Sequence, residues 1–213
     1  IILYIFLMCY YIQTADIDLN GKFLTPIGLN GGFTGFYNGN YHSIINLKIS
    51  TSKKYTRLFS SLKDGGKIEK LSIEGTVSAS NDNVGGIVGT LGNDTEILDC
   101  DFHGSVLGNN NIGALVGSAE DKVIMKSCYS DAKVTGKSTV GGLIGNAQAV
   151  SAGSEMNGMY FSGTITSENE ICGAICGISN DQELKINNIY FLASICNENA
   201  INGKSAAGCT KLG

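Results

Sequence analysis

The chain has one proline, no tryptophan and two histidines in 213 residues. It also lacks the high net charge of a disordered chain and the strict triplet period of a collagen. Fifteen basic residues against nineteen acidic ones give a net charge of -4. No basic face is therefore available for phosphate backbones, which excludes nucleic acid as a partner, and no polybasic patch exists for a membrane surface. With two histidines, His42 and His103, and no H-E-x-x-H string, a zinc-peptidase centre is excluded from this segment. What the chain has in excess is glycine, 29 residues, in a sequence that is 43% hydrophobic. That combination implies a buried core and many tight turns.

Residues 1–12, "IILYIFLMCYYI", are apolar throughout. They are too few to span a bilayer as a helix. Either a clipped signal-peptide core or a first capping strand fits them, and neither a preceding Lys or Arg nor an A-x-A-like cleavage site decides between the two.

A glycine-rich hexamer recurs: "VGGIVG" at 84–89, "IGALVG" at 112–117, "VGGLIG" at 140–145 and "CGAICG" at 172–177. The spacings of 28, 28 and 32 residues are those of a stacked repeat architecture. "YTRLFS" at 55–60 is a degenerate earlier copy. A second series runs between the hexamers and yields four columns. The first is Ile44, Ile68, Ile97, Met125, Met156 and Ile186, and the second Leu47, Leu71, Cys100, Cys128, Met159 and Ile189. The third is Ile49, Ile73, Phe102, Ser130, Phe161 and Phe191, and the fourth Val77, Val106, Val134, Ile165 and Ile195. Only Ser130 breaks the apolar rule. The second and third columns lie two residues apart, which is the period of a strand, and each copy is too short to add a helix of ten or more residues. The expected fold is thus all-β, a solenoid in which equivalent strands of successive coils pair in parallel and in register. Gly89, Gly117, Gly145 and Gly177 are expected to stack at a turn, beside a wall of Val88, Val116, Ile144 and Cys176. A phosphate loop would need a helix after the glycines, and none follows.

"TADIDLNGKFLTPIG" (14–28), "FTGFYNGNYHSIINLKI" (33–49) and "CYSDAKVTGKSTVGGLIG" (128–145) resemble the GLUG-repeat family of bacterial surface and secreted proteins. The resemblance runs from about Tyr11 to Gly177. It implies a right-handed parallel β-helix displayed outside the cell, within adhesin-like proteins or ahead of a peptidase domain, as in some immunoglobulin A metallopeptidases. Two features depart from the family pattern. Its Asp-Gly-Asn-Gly turn is Asn38, Gly39, Asn40, Tyr41 here, and the last coil, around Ile201 to Cys209, has no recognisable hexamer.

Several motifs suggest chemistry and carry little of it. "GKST" at 136–139 ends like a nucleotide-binding loop, but Asp131 stands where that loop needs Gly, and Lys137 to Thr139 occupy the turn of Asn81 to Asn83 and Asn109 to Asn111. No nucleotide is expected. The seven cysteines follow the repeat, so Cys100, Cys128, Cys172 and Cys176 are expected as free interior thiols, with Cys196 and Cys209 the more exposed. No metal or cofactor set is evident. Glu74, His103 and Asp131 share an outer column flanked by Asp101 and Lys133. Glu74 and Asp131 would be two coils, about 9.6 Å, apart, at the wide limit for an inverting glycosidase. Tyr129, Tyr160 and Tyr190 form an outward row that could meet a sugar or a protein, and they are the ligand-binding candidates. Asn93, Asp94 and Thr95 form a glycosylation sequon.

These readings divide the chain into an apolar segment at 1–13, a parallel β-helix at 14–195 and a degenerate last coil or cap at 196–213. The helix should have six to seven coils of 24–32 residues, spanning roughly 30 Å. The expected role is a non-catalytic extracellular spacer and adhesion module of a surface or secreted protein, with flanking domains and a host or cell-surface glycan or protein as partner. The alternatives are a polysaccharide lyase or hydrolase, with Glu74, Asp101 and Asp131 as first suspects, and the non-catalytic N-terminal region of a secreted metallopeptidase.

Overall fold

The computed structural model describes residues 9–22, 26–29, 31–51, 58–180, 182–192, 199–202 and 207–212. Among them the chain is all strand and turn, and its parallel sheets stack as a β-solenoid of about six turns. Three sheets run along the stack, one of fifteen strands and two narrower ones of four and five. Apolar side chains at alternate positions fill the interior, and each column passes from coil to coil at the same depth. Ile68 pairs with Ile97, Ile97 with Met125, Met125 with Met156 and Met156 with Ile186. The second column, Leu71, Cys100, Cys128, Met159 and Ile189, is buried throughout. Each such Ile, Leu or Met contributes about 1.5–3 kcal/mol on leaving water, but only once the next coil covers it. The coil is therefore not a stable unit; the stack is.

Corners are set by the left-handed backbone. After the strands of the first column stand Lys70, Asp99, Ser127, Gly158 and Asn188, with φ of 54°, 51°, 54°, 64° and 50°. Asn, Asp and Gly take that conformation readily, and its recurrence turns every coil at one place. A second corner precedes the hexamers at Asn83, Asn111 and Thr139, with φ of 58°, 59° and 56°.

Three sequence expectations need correction. In the first copy the columns slip: Tyr37, not Ile44, pairs with Ile68, while Ile44 pairs with Ile73 and Ile49 with Val77. The strand Phe36–Thr51 shifts register between Asn38 and His42 and again between Ile44 and Leu47. Asn40, Tyr41 and Asn46 bulge out there with positive φ. At the far end the hexamer is present in position though not in letters. Ile201 bridges to Cys176, and Cys209–Leu212 extends the sheet beside Ile189–Leu192. Ile27 likewise bridges to Phe59, which pairs with Val88, so the series begins one coil before the degenerate copy and two before its first glycine hexamer. At the start of the chain, Tyr10–Ile12 pairs with Phe36 to Asn38, while residues 1–8 lie outside the described residues, as do Tyr55, Arg57 and Ile195.

The third correction concerns the glycines. The bend of the hexamer lies at Gly86 and Ile87, and the sixth residue belongs to the strand that follows, as Gly89 does in Val88–Leu91. A side chain at Gly117 would run into the backbone of Asn83 and Val84, and one at Gly145 into that of Asn111 and Ile112. A Cβ on Gly141 would meet the backbone nitrogen of Gly177 at 2.7 Å, and one on Gly113 that of Gly145 at 2.8 Å. The second and sixth glycines thus face each other where two backbones cross. Their role is close approach rather than turn geometry.

Ser130 has a physical explanation. It is fully buried, donates to the carbonyl of Phe102 at 2.6 Å and accepts from the amide of Ala132 at 3.2 Å. In the coil before it, Gly86 lies against the Phe102 ring, where a Cβ would come within 2.5 Å; in the coil after it, Gly142 lies against Phe161, where the distance would be 2.6 Å. Between these stands Ala114, hydrogen-bonded in line with Gly86 and Gly142. Across these three coils ring with glycine alternates with hydroxymethyl plus methyl, so interior volume is kept; the next coil, nearer the end of the stack, holds Phe191 together with Ala174.

Candidate functional site

The outer face of the widest sheet carries the residues singled out by sequence. One column runs Ser43, Ser72, Asp101, Tyr129, Tyr160, Tyr190 and Thr210, each a Cα partner of the next. Beside it Glu74 pairs with His103, and beyond that Thr76, Ser105, Lys133 and Thr164 follow one another. The expected columns are therefore brought together on one face.

Their side chains are tied mainly to each other. His103 sits between two carboxylates, with Nε2 3.1 Å from Asp101 Oδ2 and Nδ1 2.9 Å from Asp131 Oδ1. The Ser72 hydroxyl donates to Asp101, a partner that sequence reasoning missed because a lone outward serine carries no signal. The Tyr129 and Ser162 hydroxyls lie 3.1 Å apart. Of the suspected acid–base set, Asp101 and Asp131 are bridged by the His103 imidazole, whose bond to Asp131 joins one coil to the next, while Glu74 lies beside His103 in strand register. Lys133 is exposed beside them.

The tyrosine row is present on the outer face, Tyr129 beside Tyr160 and Tyr160 beside Tyr190. The rings of Tyr129 and Tyr160 stack at 5.5 Å with an interplanar angle of 11°. The imidazole of His103 lies 5.5 Å from the Tyr129 ring at 59°. The Tyr129 and Tyr160 rings thus each cover one face of the other, both residues are partly exposed, and the Tyr129 hydroxyl is engaged with Ser162. Tyr190 pairs in backbone register with Tyr160 and is 42% exposed, the most open of the three.

The thiols divide three ways. Burial pushes the Cys128 thiol up to about 12 and that of Cys100 well above its usual value, so neither is a nucleophile or ligand at neutral pH. Cys176 is a buried thiol, Cys209 is half-buried with its thiol raised by burial to about 11, and Cys9 is a free, exposed thiol. Cys172 is disulfide-bonded, contrary to the expectation of a free interior thiol. It occupies a position filled by Val84, Ile112 and Val140 in earlier coils, which hid its pairing. Cys196 lies outside the described residues. Among the described residues no group of three or more His, Cys, Asp or Glu side chains is placed to hold a metal ion.

No family model matches the chain, and no curated protein does. Among solved structures it is similar to a "putative immunoglobulin A1 protease" from Bacteroides ovatus, with a TM-score of 0.67 and 22% identity. The match covers 96% of this chain and 76% of that one. The shared property is the fold: a parallel β-solenoid over nearly the whole chain.

Proposed function

We propose that this chain is a non-catalytic module of a surface-displayed or secreted protein of the GLUG-repeat type, acting outside the cell as a rod that spaces flanking domains and meets a glycan or protein partner. The observation that carries the reading is the coil-to-coil tying of its outer side chains. His103 to Asp131, Ser72 to Asp101, Tyr129 to Ser162, Asn111 to Asn83, Lys122 to Asp94 and Asn188 to Asn157 each join neighbouring coils. Such ties stiffen a rod along its axis, which is what a spacer requires. The naming of the solved neighbour as a "putative immunoglobulin A1 protease" is consistent with a region of a secreted, protease-associated protein.

The partner-binding strip is assigned to the tyrosine row. Tyr190 offers the open ring, while Tyr129 and Tyr160 offer edges and hydroxyls, and weak contacts suffice where many copies act together. A screen of glycans and host proteins against the intact chain and the Tyr129→Ala/Tyr160→Ala/Tyr190→Ala variant tests this. The expected result is loss of binding with an unchanged circular dichroism spectrum, most of the loss already present in Tyr190→Ala. Depolymerisation of any glycan by the parent chain would replace the spacer reading with catalysis by Glu74, Asp101 and Asp131.

A further inference from the structure

A groove of about 590 Å³ lies on a different side of the rod, along the strands Phe59–Leu62, Val88–Leu91 and Val116–Asp121. Ser61 and Thr90, Cα partners in adjacent coils, line it together with Lys63 and Glu120. Asn83 and Asn109 line it from the neighbouring corner.

That corner is fixed in place. The Asn83 backbone packs over Gly117, where any side chain would displace it. Asp82 accepts from the amide nitrogen of Asn110 at 3.0 Å and from the side-chain nitrogens of Asn109 and Asn110 at 2.9 Å each. Gly32, with φ of 91°, stands where a Cβ would come within 3.0 Å of the Ser61 hydroxyl. The groove is thus shaped by backbone packing and is open before any ligand arrives.

Part of its lining is tied from coil to coil, as Asp82 is to Asn109 and Asn83 to Asn111. The other part is not. Among the described residues, the side chains of Ser61, Lys63, Thr90 and Glu120 make no hydrogen bond or ion pair, although all four border one groove. Hydroxyls both donate and accept, as carboxamides do through their two ends, which suits a ligand whose own groups are hydroxyls. Lys63 stands against Glu120 and Asp82, and the Asp82 carboxylate is already engaged by Asn109 and Asn110, so the lining carries no excess positive charge and an anionic ligand is not favoured. Leu29 is the one large apolar side chain among the described lining residues, too little for the side-chain pockets that a peptide needs. The volume lies within the range of small-ligand sites. The Ser61–Thr90 pair repeats a hydroxyl along the axis at about 4.8 Å, an advance similar to that of one sugar unit in an extended chain.

We propose that this groove binds a short, neutral oligosaccharide. It is a second contact, separate from the tyrosine strip. The test uses the intact chain against an array of short gluco-, manno-, galacto- and chito-oligosaccharides, with the strongest hit titrated by amide NMR. Shifts are expected at Ser61, Asn83, Thr90 and Asn109. Ser61→Ala/Thr90→Val should weaken binding at least tenfold at unchanged melting temperature, while the triple tyrosine variant keeps it. If that pair fails to fold, the exposed pair Lys63→Ala/Glu120→Ala reads the same groove and should weaken binding several-fold. The proposal is overturned if no oligosaccharide binds at millimolar concentration, if a peptide displaces the hit from the groove, if the shifts fall on the tyrosine strip, or if the groove variants bind as the parent does.

Discussion

Ser130→Phe is the perturbation that most sharply probes how this core is packed. A phenylalanine is what the neighbouring coils hold at this position, Phe102 before it and Phe161 after it, so a consensus argument expects stabilisation. The structure gives the opposite sign. Each neighbouring ring lies against a glycine, where a Cβ would come within 2.5 Å of the Phe102 ring at Gly86 and 2.6 Å of the Phe161 ring at Gly142, whereas the coil of Ser130 carries Ala114. Overpacking of this kind costs about 1–3 kcal/mol. Losing the serine hydroxyl also leaves the Ala132 amide without its acceptor, a further penalty of about 1–3 kcal/mol. Ser130→Phe should therefore destabilise the chain by roughly 2–6 kcal/mol. Adding Ala114→Gly removes the methyl and should recover the overpacking part, despite the ~0.5–1 kcal/mol that a glycine costs in a strand. Urea unfolding followed by circular dichroism measures both, with the m-value as a check on the unfolded state. Two results would refute the reasoning: Ser130→Phe as stable as the parent, or a double variant whose effects simply add.

The remaining expectations concern thiols and pH. Iodoacetamide should label Cys9 in the native chain and leave Cys100 and Cys128 unlabelled until denaturation, since burial holds both as thiols; early labelling of Cys128 would mean that the core column opens. Cys128→Val should change stability by less than about 1.5 kcal/mol, because branched apolar residues fill equivalent interior positions. Reductant should release the Cys172 thiol and leave the stack folded, as judged by circular dichroism; unfolding by reductant alone would show that the bridge, not the core, holds it. The first coil should loosen in acid. The Ser43 amide lowers the pKa of Asp16, and the Asn46 side chain that of Asp18. A carboxyl depressed in the folded state contributes stability above its unfolded value, near 3.8, and loses it as pH falls through the folded one. Amide exchange at Asn20 and Ser43 should therefore quicken below that range before exchange at Phe102 does; simultaneous loss would contradict it.

The register of the later coils was legible because the hexamers and columns repeat with little interruption between Val84 and Cys176. Val84, Ile112, Val140 and Cys172 pair as their spacing implies. The first copy was misread because bulged residues are invisible to an alignment of apolar letters: Asn40, Tyr41 and Asn46 add length without adding interior positions. Ile27 and Ile201 were missed because the hexamer was recognised by its glycines, while the fold needs only an interior apolar residue at its fifth position. The tyrosine row was legible as a row but not as a stack, since ring orientation depends on His103 and Ser162, which lie in a neighbouring column. The groove was invisible for a related reason. Ser61, Thr90 and Asn83 are ordinary surface residues in sequence; strand register brings Ser61 to Thr90, and the packing of one corner over Gly117 fixes Asn83 at the edge of the same groove.

The central claim is that the recurring glycine hexamer builds a stack of coils in parallel register. Methyl-labelled NMR of the intact chain tests it most directly. The account predicts cross-peaks joining Ile68 to Ile97, Ile97 to Met125, Met125 to Met156 and Met156 to Ile186, together with Val88 to Val116 and Val116 to Ile144. Cross-peaks that instead join strands adjacent in sequence, as in antiparallel hairpins, with none at the spacing of the repeat, would contradict it.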